Sequence, residues 1–194
     1  KITEVNSGMY FFDIQKLKES LSKITNDNSQ GEYYITDVIE IMLSEGEKVG
    51  AYVTDLEQTM GVNDKLQLSQ VGKILNRRKV EALMLAGVTI IDPDKVQVTT
   101  NVKVGRDTVL YPGTVLEGDT VIGENCVIGS NTSLNNCKVG NNTKILETVG
   151  IDSEIGSDTN VGPFAYLRPG TKVGSEVKIG DFVEVKNSTI DDGT

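Results

Sequence analysis

Residues 104–134 read VGRDTVLYPGTVLEGDTVIGENCVIGSNTSL. Every sixth residue of this stretch is aliphatic: Val104, Leu110, Leu116, Ile122, Ile128 and Leu134. A helix repeats near 3.6 residues and a strand at 2, so neither explains a period of six. A prism with three flat faces does. Each hexapeptide then forms one short strand and one corner, with the aliphatic residue inside. Four residues later comes a small or β-branched residue that fits beside it: Thr108, Thr114, Thr120, Cys126 and Thr132. Gly105, Gly123 and Gly129 directly follow an aliphatic residue and are read as permitting the corner backbone. Three hexapeptides make a coil of about 18 residues, and coils stack at the inter-strand spacing of about 4.8 Å.

Towards the C-terminus the phase slips by one at Val139, continues to Ile145 and blurs around Ile151. It resumes at Ile155, Val161, Leu167, Val173, Ile179 and Val185. The pattern predicts roughly five coils between about 100 and 194, with irregular coils near 134–139 and 147–155. Towards the N-terminus the reading changes. A long helix is expected from Asn63 or Asp64 to about Ala86, with Gly87 at its C-terminal end. Before it, residues 1–62 read as mixed α/β. Strands are expected at Val5–Phe12 and Val49–Val53. Helices are expected from Asp13 to about Ile24 and from Thr36 to Glu45. The fold expected is thus an α/β part, a linker helix over 63–87, and a parallel β-helix over 88–194.

Composition narrows the function. Glycine makes up 20 of 194 residues with only 4 prolines, which suits many tight turns. The net charge of −9 and the lack of a basic patch argue against nucleic acid and against a polyanionic membrane surface. There is no apolar run of transmembrane length and no signal sequence. Two cysteines, Cys126 and Cys137, fit a reducing cytosol. No histidine is present, so no imidazole among these residues can act as a base. The chain starts at Lys1 and ends at Thr194 with the repeat still running, and is expected to be an internal piece of a longer protein.

Several motifs carry chemistry. Glu4-Val5-Asn6-Ser7-Gly8 sets an amide beside a glycine. Gln30-Gly31-Glu32-Tyr33-Tyr34-Ile35-Thr36-Asp37 offers hydroxyls and a carboxylate suited to sugar hydroxyls, or to helix capping. Met60-Gly61-Val62-Asn63-Asp64 puts an amide oxygen where it could cap a helix or ligate a hard cation. In the repeats, Arg168 lies in Gly162-Pro163-Phe164-Ala165-Tyr166-Leu167-Arg168-Pro169-Gly170, and Lys186 follows it by one coil length. Two cations on one edge suit a phosphate, Arg through paired hydrogen bonds and Lys as a point charge, or are solvated surface charges.

The order of these motifs, followed by hexapeptide repeats, resembles the bacterial bifunctional N-acetylglucosamine-1-phosphate uridylyltransferase/glucosamine-1-phosphate N-acetyltransferases. The match extends over essentially the whole chain. The resemblance implies a left hand for the β-helix. It makes residues 1–62 the C-terminal portion of a Rossmann-like uridylyltransferase domain and 88–194 the start of the acetyltransferase domain. It places Asn6, Tyr34 and Thr36 at the amino-sugar site and makes Asn63 both a substrate-site residue and a Mg²⁺ ligand. It assigns Arg168 and Lys186 to the phosphate of glucosamine 1-phosphate. The catalytic histidine and the acetyl-CoA-binding coils are expected beyond Thr194, and the Gly-rich nucleotide loop upstream of Lys1. These residues alone are therefore expected to catalyse neither step. UTP, UDP-N-acetylglucosamine and acetyl-CoA are the implied partners, in a cytoplasmic homotrimer. Two other readings stay open: a sugar-1-phosphate nucleotidyltransferase with a β-helix for assembly, and a non-enzymatic structural β-helix.

Overall fold

The computed structural model describes residues 4–194. Contacts divide the chain into two units, one ending at Asn63 and one running from Asp64 to Thr194.

In the first unit, α1 (Ile14–Leu21) and α2 (Asp37–Ser44) pack together, burying Ser20, Val38 and Met42. Asp13 caps α1, its carboxylate accepting from Gln15 N at 2.9 Å and Lys16 N at 3.2 Å. Lys16 pairs with Glu47 and Lys23 with Glu45. The helix stops at Leu21, short of the expected Ile24. The two expected strands do not form: Val5–Phe12 and Val49–Val53 have no ladder partner among the described residues. Phe11 is fully exposed and Val5 nearly so. Alternating apolar residues make a strand only when a neighbour takes up the backbone hydrogen bonds.

The second unit opens with α3 (Lys65–Leu85), capped by Asp64, whose carboxylate accepts from Gln67 N at 2.7 Å. Gly87 closes it at φ +101°, a left-handed position that a side chain would strain. Eighteen strands follow, from β1 (Thr89–Ile90) to β18 (Thr189–Ile190). They form three parallel six-stranded sheets, every third strand joining the same sheet. This is a β-solenoid of six turns, one of which precedes the point from which coils were expected. Leu110, Leu116, Ile122, Ile128, Leu134, Ile145 and Leu167 are fully buried in its core. Val80 and Leu83 of α3 join that core.

The irregularity expected near 134–139 and 147–155 is confined to the corners, and the strands there stay regular. β8 (Ser133–Asn135), β11 (Val149–Ile151) and β14 (Tyr166–Leu167) pair in register, with Gly150 opposite both Leu134 and Leu167. The inward position there is Gly150, not Ile151. Leu134 Cδ2 and Cys137 Sγ lie 2.9 and 3.2 Å from where its Cβ would be. The steps Leu134 to Val139, Ile145 to Gly150 and Gly150 to Ile155 each lack one residue, and each is lost at a corner while the strand remains.

Of the glycines that follow an aliphatic residue, Gly162 at φ +90° does take the left-handed backbone, but others act differently from the expectation. Gly105, Gly123, Gly140, Gly156 and Gly174 are absent from the left-handed region. They stack coil on coil: a Cβ on Gly105 would meet Gly123 C at 2.6 Å, and one on Gly156 would meet Gly174 C at 2.4 Å. The left-handed corner residue comes two positions later, as at Asp107, Asn125, Asn142 and Asp158. Asn and Asp tolerate that conformation best after glycine.

Candidate functional site

The strongest chemistry in the second unit lies on one face of the solenoid. β14 pairs with β17 (Glu184–Val185), Tyr166 opposite Glu184 and Leu167 opposite Val185. Arg168 N donates to Val185 O at 2.9 Å. Arg168 and Lys186 each follow the inward residue of these strands, so they stand at the same corner one coil apart. Strand alternation turns Leu167 and Val185 inward and leaves Tyr166 and Glu184 outward.

The cations are not equivalent. Arg168 Nη1 donates to Glu184 Oε1 at 2.9 Å, and its guanidinium lies 6.0 Å from the Tyr166 ring centroid. The hydrogen bond to Glu184 raises the Arg168 pKa above its ordinary value. Lys186 makes no ion pair among the described residues. Repulsion between Arg168 and Lys186 is thus already offset by Glu184, and the spacing alone does not demand an anion. A phosphate bound at this corner must share the guanidinium with Glu184. Neither Tyr166 nor Glu184 was singled out from the sequence, although their outward strand positions, one coil apart, were legible there.

At the other end of the same two strands, Phe164 and Phe182 stack with ring centroids 5.2 Å apart and planes inclined by 18°. Phe164 is 51% exposed and Phe182 79%.

In the first unit the expected site residues lie on three separate segments. Asn6 forms a local turn, its Oδ1 accepting from Gly8 N at 2.9 Å while its Nδ2 bonds Tyr10 Oη. Tyr34 Oη bonds Gln30 Oε1. Thr36 precedes α2 but makes no side-chain cap, and its hydroxyl donates to Asp37 Oδ1 at 3.5 Å. Asn63 is exposed, and Asp64 rather than Asn63 caps α3. The side-chain hydrogen bonds of Asn6, Tyr34 and Thr36 described above are all local, within four residues. Among the described residues no group of three or more His, Cys, Asp or Glu side chains could hold a metal ion. One neutral amide oxygen at Asn63 is too little for Mg²⁺, which prefers six oxygens and usually one or two carboxylates.

A family model described as the GMPPB C-terminal domain matches residues 93–193, just over half the chain. The chain belongs to that family. Over all 194 residues it is also 48% identical to the Bifunctional protein GlmU of Clostridium botulinum (strain Loch Maree / Type A3), spanning 42% of that protein. It is 50% identical to the proteins of the same name from Clostridium kluyveri and Clostridium beijerinckii, spanning 42% and 43% of them. The motif-based resemblance to the bifunctional enzymes therefore holds along the whole chain, while the chain spans less than half the length of those relatives. Among solved structures, a mutant GDP-perosamine N-acetyl transferase from Caulobacter crescentus, in complex with CoA and GDP-perosamine, superposes with a TM-score of 0.52. The alignment covers 80% of this chain and 84% of that one at 19% identity, a likeness of fold. No helix among the described residues is long and apolar enough to cross a membrane.

Proposed function

We propose that this chain is part of a bifunctional enzyme that makes UDP-N-acetylglucosamine in two steps. The observation that carries the reading is 48–50% identity to the bifunctional proteins over all 194 residues. In the first step the amine of glucosamine 1-phosphate attacks the thioester carbonyl of acetyl-CoA. The C–S bond breaks, and a base takes a proton from the attacking nitrogen and passes it to the departing thiolate, so that coenzyme A leaves as the thiol. That base is a histidine outside these residues. Arg168 and Lys186 hold the sugar phosphate, Arg168 through directed N–H donors and Lys186 through its charge. In the second step an oxygen of the sugar phosphate attacks the α-phosphorus of UTP and pyrophosphate departs. Asn6, Tyr34 and Thr36 line the amino-sugar side of that second site. Asn63 would supply a single oxygen to a Mg²⁺ ion held mainly by groups outside these residues, and such an ion would offset charge on the phosphates. The solenoid is left-handed, residues 1–62 belong to the uridylyltransferase domain, and the assembly is a cytoplasmic homotrimer.

The test uses the full-length protein. Arg168→Ala and Lys186→Ala should each raise KM for glucosamine 1-phosphate, or lower kcat/KM, by about tenfold or more. Uridylyl transfer to ready-made N-acetylglucosamine 1-phosphate should survive. Wild-type acetyl-transfer kinetics in both variants would reduce the two residues to ordinary surface charge.

A further inference from the structure

The two coils that carry Arg168 and Lys186 differ from the others at the corner before those strands. Among the described residues, twelve non-glycine residues adopt positive φ, and ten of them are Asp, Asn or Glu. The other two are Phe164 at φ 60° and Phe182 at φ 55°. A phenylalanine has no polar group to bond locally and offset the crowding of that conformation. Both rings remain substantially exposed, so the core gains little from them. Strained, bulky side chains kept at a surface point to a role other than folding.

Their placement indicates the role. Phe164 lies four residues before Arg168, and Phe182 four before Lys186. The stack therefore ties together the starts of the two strands whose ends present the cations. Corners elsewhere are tied by polar side chains instead, as by Asn142 Nδ2 donating to Asp158 Oδ1 at 3.0 Å and Asn136 Nδ2 to Asp152 Oδ1 at 3.1 Å. Two rings 5.2 Å apart and nearly parallel resist sliding of one strand along the other, because sliding uncovers the faces.

We propose that Phe164 and Phe182 are a positioning pair that pins β17 in register on β14, so that Arg168 and Lys186 meet one phosphate. The proposal rests on the phosphate-binding reading above. It predicts an unusual combination: replacing both rings by asparagine suits the backbone yet harms the site.

The experiment compares full-length protein carrying Phe164→Asn and Phe182→Asn together with the two Phe→Tyr variants and with Arg168→Ala. Glucosamine 1-phosphate is the varied substrate. The double Asn variant should raise its KM about five- to tenfold with kcat within about twofold. Its thermal midpoint should stay level or rise. The Tyr variants, which keep the stack, should behave as wild type. A wild-type KM in the double Asn variant overturns the proposal, as does a KM increase that the Tyr variants share. If Arg168→Ala raises KM and the Asn variants do not, the pinning role alone fails. If Arg168→Ala also leaves KM unchanged, the phosphate reading fails with it.

Discussion

Thr108 is fully buried, and its hydroxyl makes two hydrogen bonds across one corner. It donates to Gly123 O at 2.8 Å and accepts from Cys126 N at 3.0 Å. Thr143 and Thr159 repeat the arrangement further along the solenoid. The sequence marks this position as small and inward. What size alone does not convey is that the corner leaves one N–H and one C=O without a ladder partner, and a hydroxyl answers both. Thr132 differs, its buried Oγ1 making no hydrogen bond. Thr108→Val should therefore destabilise the solenoid by about 1–3 kcal/mol, since it orphans a buried N–H and a partly buried C=O. Thr132→Val should be near neutral or stabilising. Denaturant titration of the two variants checks this, and equal losses would contradict it.

Among the elements, α3 shows how a solenoid closes an edge. β2 (Gln97–Val98) is the edge strand of its sheet, paired on one side only with β5 (Val115–Glu117). On its open side Asn76 Nδ2 donates to Val96 O and Asn76 Oδ1 accepts from Val98 N, both at 2.9 Å. Those are the two groups that a parallel neighbouring residue would engage, so the side-chain amide stands in for a strand. Lys79 Nζ adds a bond to Thr100 O at 2.9 Å. Asn76→Asp should keep the bond from Val98 N and lose the one to Val96 O, and Asn76→Ala should lose both. Hydrogen exchange at the Val98 amide should rise about tenfold or more in Asn76→Ala and less in Asn76→Asp. Unchanged exchange in both would show that Val80 and Leu83 alone hold the helix. The caps and stops of the helices were legible as Asp13, Asp64 and Gly87. The strands expected at Val5–Phe12 and Val49–Val53 were not, because a strand is a relation between segments and neither has a pairing segment among the described residues.

For the whole molecule the proposal is that two chemistries reside in two units. Asn63→Ala in the full-length protein should then lower uridylyl transfer by at least about tenfold and leave acetyl transfer within about twofold. Assays of both activities on one preparation check this. A parallel fall in both would point to damaged folding, and no fall would remove Asn63 from the site. The helix-cap explanation for Asn63 is already answered by Asp64, which holds the cap itself. The solenoid and most of its inward rows follow from the six-residue pattern alone, Gly150 in place of Ile151 being a departure from it. A period of six is one-dimensional information, and burial of an aliphatic residue at each period admits few solutions. The pairings that bear on function were decided by tertiary structure. Glu184 meets Arg168 across 16 residues, and Asn76 meets Val98 across 22. Phe164 meets Phe182 at the start of the next coil. Which residues face each other across coils depends on coil length. That length changes wherever a corner gives up a residue, and the compensation appears only when the coils stack.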